Sequence, residues 1–148
     1  MSHGIASVAA LIALPLLVMS ARENGQTAVV GATVFGVMTL FLYVVSTLYH
    51  ALAPNRAKLV FQKMDHSAIF LMIAGTYTPF TLGVLRGPMG WTLFAIIWTL
   101  AIIGVHGMLS GTASMDFGGK RNAGVAVGII DGFVYLGTGL QAIVLGYV

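Results

Sequence analysis

The chain contains no cysteine, which removes disulfides, thiolate metal ligands and a cysteine nucleophile and leaves the redox compartment open. Charge is nearly as scarce. Aspartate and glutamate together number 4 and lysine and arginine 7, so only 7% of residues are charged, against about 25% in a soluble domain. So few ionisable groups cannot cover a water-facing surface. The 58% hydrophobic content must therefore meet lipid as well as a core. The net charge of +3 and the pI near 9.5 would suit a nucleic-acid partner. That partner is not expected, because the basic residues stand in short gaps between apolar runs, where they report membrane orientation.

Long apolar runs are what the chain does have. Polar breaks divide it into five, at about residues 4–20, 27–53, 64–85, 89–109 and 123–148. Each approaches or exceeds the roughly 20 residues that cross about 30 Å of hydrocarbon at 1.5 Å per residue. Strands are excluded by these lengths and by the lack of apolar–polar alternation. Lipid offers no partner to a backbone amide, so the runs are expected to be helices. No basic region precedes the first run, and Ser20, Ala21, Arg22 and Glu23 make a poor signal-peptidase site. A first spanning helix is expected in place of a cleaved signal. The fifth run is rich in glycine, and Gly124, Gly128 and Gly132 form a small-residue stripe read as packing. No soluble domain, linker or low-complexity tract is visible. The expected architecture is an all-α membrane protein of about five transmembrane helices, multi-pass, with the lipid bilayer as its partner.

Five spans place the N-terminus, the 54–63 gap and the 112–122 gap on one side. That side holds Arg56, Lys58, Lys63, Lys120 and Arg121, and the other holds Arg22 and Arg86. The excess predicts a cell-membrane protein with a cytoplasmic N-terminus.

Ionisable residues at or inside apolar runs are expensive, and each needs a reason. Ser46 and His50 lie four apart near the end of the second run, on one helix face with Tyr43. Asp65 and His66 open the third run, on the same side of the membrane. Ser46, His50, Asp65 and His66 are therefore expected to converge at one depth. Two readings stay open. In the chemical one, His50 is a zinc ligand, Asp65 holds a metal-bound water or acts as general base, and the Ser46 hydroxyl bonds that water or a ligand. In the structural one, His50 caps interfacial carbonyls and Asp65 favours a helix N-terminus through the macrodipole. His106 stands in the fourth run and reads as a hydrogen-bonded packing residue or a further ligand. His3 reads as structural. Asp131 lies inside the fifth run and faces a polar cavity or pairs with another helix, and Asp116 with Lys120 and Arg121 reads as a solvated loop. Within Gly75-Thr76-Tyr77-Thr78-Pro79 the proline predicts a kink. Threonine hydroxyls are expected to re-satisfy the freed carbonyl, and the kink to shape a cavity.

Ser46-Thr47-Leu48-Tyr49-His50, Met64-Asp65-His66-Ser67-Ala68-Ile69-Phe70 and Ile73-Ala74-Gly75-Thr76-Tyr77-Thr78-Pro79-Phe80 together resemble the hemolysin III family, which is related to the progestin and adipoQ receptors. Ser2-His3-Gly4-Ile5, Arg86-Gly87-Pro88 and Gly90-Trp91-Thr92-Leu93-Phe94 add to the likeness, which covers about residues 2–104. The resemblance implies a partial version of a seven-helix bundle with a zinc-dependent hydrolase or receptor site, a lipid amide or ester as substrate or a lipid-like ligand, and zinc as the cofactor. It makes His50 the second-helix metal ligand, Asp65 the residue acting on metal-bound water and Ser46 its supporting hydroxyl. The family's other two ligands form a His-x-x-x-His motif on the seventh helix, and no such motif occurs here. His66 and His106 are the histidines that could substitute, within the usual Zn–N reach of about 2.1 Å. The family name adds membrane lysis as a further reading, though no strongly charged amphipathic helix is present.

Residues 105–148 look different. His106-Gly107-Met108-Leu109-Ser110-Gly111 through Lys120-Arg121, then Gly128-Ile129-Ile130-Asp131-Gly132-Phe133, resemble a late helix pair of major facilitator transporters of the sugar-phosphate antiporter type. Two parts are expected, hemolysin III-like helices at 1–104 and a Gly-rich tail at 105–148 with one further span, joined as in a truncated or chimeric product. A transporter fragment and a non-catalytic bundle are the competing readings.

Overall fold

The computed structural model of the protein describes residues 2–146, and beyond residue 111 it describes side-chain positions only at 124, 125, 128, 129 and 132. The chain divides into two units, Met1–Val105 and His106–Val148. The elements are α1 (Ser2–Ala21), a short 3₁₀ turn (Arg22–Asn24), α2 (Gln26–Ala51), α3 (Arg56–Pro79), a wide π-type turn (Phe80–Leu85) and α4 (Gly87–Gly146), with no strand among the described residues. Residues 87–105 of α4 belong to the first unit. Among the described residues, four segments are long and apolar enough to span a bilayer: Ser2–Asn24, Gln26–Ala51, Arg56–Leu85 and Gly87–Gly111. The protein is an all-α, multi-pass membrane protein.

Each connection in the first unit has a local cause. Gly25 joins α1 to α2 with φ of 92°, a conformation that side chains rarely adopt. Its N–H bonds the Arg22 carbonyl and its own carbonyl accepts from Val29. At the end of α2 the backbone turns extended at Leu52. Asn55 then caps α3, its side chain accepting from the Lys58 N–H at 2.9 Å. A four-residue link of this kind makes α2 and α3 antiparallel neighbours.

Packing among these helices depends on small residues. The buried apolar positions are mostly alanine (Ala32, Ala68, Ala74, Ala101), with Val45 and Leu82. A Cβ on Gly31 would lie 2.7 Å from the Cα of Pro79, and one on Gly75 would lie 2.9 Å from the Met38 side chain, so glycine lets α3 approach α2. Gly36 meets Leu14 of α1 in the same way. Trp98 of α4 donates from Nε1 to Thr78 Oγ1 at 3.1 Å, tying α4 to α3. Large apolar side chains point outward: Ile5 is 71% exposed, Val84 73% and Met89 68%. In water such a surface would aggregate, whereas in a bilayer it is the lipid-facing side.

Several details depart from the sequence reading. Pro79 ends α3, and the chain continues directly into the wide turn, so the proline marks a change of helical pitch. Threonine hydroxyls do back-bond, but to the carbonyls of Met72, Ala74, Tyr77 and Thr78. The carbonyl that Pro79 frees, four residues earlier at Gly75, is not among these acceptors. A cleft of about 300 Å³ does lie at the wide turn, lined by Thr27, Thr81, Leu82, Arg86, Gly87 and Trp91. α3 begins at Arg56, two turns before the expected start, because Asn55 supplies a cap ahead of the apolar run. The expected break at 112–122 is helical. That stretch contains no proline, and glycine alone weakens a helix without ending it. In the second unit the Cβ positions of Gly124, Gly128 and Gly132 are open, so the described residues show no packing on that stripe. Asp116, Lys120, Arg121 and Asp131 lie outside the described side chains, as does most of the fifth apolar run.

Candidate functional site

Contacts along α2 and α3 set the register on which the site is built. Gly31 meets Pro79, Met38 meets Gly75, and Thr39 Oγ1 lies 3.5 Å from Met72 Sδ. Carried toward the α2–α3 connection, this antiparallel register puts Asp65 level with Ser46 and Gln62 level with Tyr49. His50 stands one turn beyond Ser46, about 5–6 Å nearer the helix end. Ser46 is buried at 6% exposure, Asp65 is half-buried, and His50 and His66 are exposed. By this register Ser46 and Asp65 are level along the helices, and His50 lies one turn outward of them.

The structural explanations of these residues weaken at the same time. Asp65 is the tenth residue of α3, beyond the first turn in which a helix N-terminus favours an anion. The carbonyl at the end of α2 that receives a side-chain donor is that of Leu52, and the donor is Lys58 Nζ at 2.9 Å. Two residues after Asp65, the hydroxyl of Ser67 is buried with no hydrogen-bond partner.

His3 is what the sequence reading missed. α1 runs antiparallel to α2, with Leu14 against Gly36 and the Ser7 hydroxyl 3.2 Å from the Thr47 hydroxyl. That register brings the first turn of α1 to the last turns of α2. The His3 ring stacks on His50, with centroids 5.3 Å apart and planes 14° from parallel, and lies 6.4 Å from Tyr43. Tyr49 meets His50 from its own helix at 4.8 Å, and Lys58 Nζ sits 5.3 Å from the Tyr49 centroid. Lys58, Tyr49, His50, His3 and Tyr43 thus form a continuous run of ring contacts at this end of the unit. The signal for His3 was available, since any reading with consecutive spans puts the start of the first and the end of the second on one side.

Catalytic zinc takes three protein ligands as a rule. Among the described residues no three of His, Cys, Asp and Glu gather as a metal-holding group. His66 is exposed on α3 and His106 is exposed at the start of the second unit. The described residues alone do not make a complete zinc centre. They bring an imidazole pair, a buried hydroxyl and a half-buried carboxylate toward one end of three packed helices.

The profile of the family described as Haemolysin-III related matches residues 1–145. The chain is 51% identical over 105 residues to Hemolysin-3 of Bacillus cereus, covering 70% of this chain and 48% of that protein. It is 44% identical over 105 residues to the Hemolysin-3 homolog of Bacillus subtilis (strain 168), covering 70% and 49%. The chain thus spans about half the length of the curated relatives it matches. No solved structure matches it. The family profile continues across the tail, and these matches lend the transporter likeness of residues 105–148 no support.

Proposed function

The chain belongs to the Haemolysin-III related family, and from that premise we propose that its first four helices carry one half of a family-type site for a lipid-like amide or ester. In this reading His50 presents an imidazole at the end of α2. Asp65 serves as the carboxylate that holds or deprotonates a water, and Ser46 donates a hydrogen bond to the water or the ligand. The register that sets Ser46 and Asp65 level, one turn inside His50, carries the reading. Donors beyond the described set are required before a metal is held, and zinc is the metal that the resemblance implies.

Metal analysis of the purified full chain tests this. Zinc is expected to bind substoichiometrically and to be lost in His50→Ala. Absence of zinc from the native chain, or unchanged zinc in the variant, removes the metal from the reading. Arg56, Lys58 and Lys63 at the same end favour placing it at the cytoplasmic face. Reporter fusions at the two termini and in the 52–55 connector check that orientation.

The names of the Bacillus relatives favour a lytic reading as well. Release of haemoglobin by purified chain above a detergent-matched control would support it, and release at the control level would end it.

A further inference from the structure

The α2–α3 connection frames a cleft of about 410 Å³ that the site above does not use. Tyr49 closes α2 on one side, Pro54 and Asn55 belong to the connector, and Lys58, Leu59 and Gln62 come from the first turns of α3. No carboxylate lines it. The Lys58 ammonium is held from two directions, by its 2.9 Å bond to the Leu52 carbonyl and by the Tyr49 ring beneath it. An ammonium has three N–H donors, so with one on the Leu52 carbonyl and one toward the Tyr49 ring, a third remains for a ligand. Asn55 accepts through Oδ1 from the Lys58 backbone, which leaves its NH₂ to donate, and Gln62 carries a second amide one turn along. The wall is apolar, formed by the Tyr49 ring, Pro54 and Leu59, and Leu59 is 55% exposed.

A cleft with a fixed cation, amide donors and an apolar wall takes an anion with an apolar body. Its position narrows the choice. It sits where the spans Gln26–Ala51 and Arg56–Leu85 meet, at the level of lipid headgroups. Tyrosine is enriched at that level, and basic residues there draw anionic lipid. A zwitterionic lipid would bring its own cation beside Lys58, in a cleft that no carboxylate lines.

We propose that this cleft binds the headgroup of an anionic phospholipid. The phosphate sits on Lys58 and Asn55, and the acyl chains run along the exposed apolar flank that begins at Leu59.

The test uses the delipidated full chain in neutral detergent and native mass spectrometry of added phosphatidylglycerol or phosphatidylcholine. One phosphatidylglycerol is expected to be retained in preference to phosphatidylcholine. Lys58→Gln is expected to weaken it about fivefold, the effect of one cation near a charged surface. Gln62→Leu weakens it less, Lys58→Arg retains it, and Arg22→Gln at the opposite end of the helices leaves it unchanged. Equal retention of the two lipids by the native chain would overturn the proposal. So would equal losses in Lys58→Gln and Arg22→Gln. Displacement by millimolar inorganic phosphate would reassign the cleft to a soluble anion and overturn the lipid assignment. Should Lys58→Gln fail to fold, the contrast between Gln62→Leu and Arg22→Gln decides.

Discussion

Replacing Gly31 by alanine probes the closest approach between α2 and the end of α3. The new Cβ would lie 2.7 Å from Pro79 Cα, 3.1 Å from its Cβ and 3.2 Å from its N. Carbon atoms pack best at about 3.5–4.0 Å, so the helices must separate by about 1 Å. Two of the three atoms are backbone and the third belongs to a proline ring, so no side chain can swing aside. Overpacking of this kind costs about 1–3 kcal/mol. Alanine returns about 0.5–1 kcal/mol relative to glycine inside a helix. The net loss lies within about 0–2.5 kcal/mol and centres near about 1.3 kcal/mol, a shift of roughly eightfold in the folding equilibrium. Trp98 reports it directly, because its indole N–H bonds the residue preceding Pro79. Denaturant titration of the detergent-solubilised chain, followed by fluorescence in a Trp91→Phe background, gives the number. Gly107→Ala is the control, since nothing lies within 4 Å of that Cβ, and it is expected to be neutral or slightly stabilising. A Gly31→Ala protein as stable as the Gly107→Ala protein would refute the close approach.

Thr78→Val keeps the shape of a buried side chain but strands the Trp98 N–H, and should cost about 1–3 kcal/mol with a shift in Trp98 emission. Ser67→Ala removes a buried hydroxyl that has no partner, so stability measured in the same titration should hold or rise by up to about 1 kcal/mol; a clear loss would reveal a ligand or helix bonded to it. Asn55→Ala deletes the α3 cap and should cost about 1 kcal/mol, whereas Asn55→Asp should retain most of it.

Composition and run length were sufficient for the membrane and for helices, because a chain with 7% charge cannot form a water-facing surface and lipid leaves backbone groups no external partner. The pairing of Ser46 and His50 on one face of α2 was equally legible, since it follows from helical spacing alone. Other features depended on how the helices pack. Which glycines are packing surfaces was one of these: the regular Gly124–Gly128–Gly132 stripe is open in the described residues, while the irregular Gly31, Gly36 and Gly75 carry the contacts. Periodicity along one helix says nothing about whether a partner lies opposite. The stacking of His3 on His50 was another, because it needs the register between α1 and α2, and that register is set by the fit of Leu14 on Gly36 and of Ser7 on Thr47, partners far apart in the chain. The depth of Asp65 was a third. Its level relative to Ser46 depends on how far α3 is slid along α2, which the Gly31–Pro79 contact helps decide.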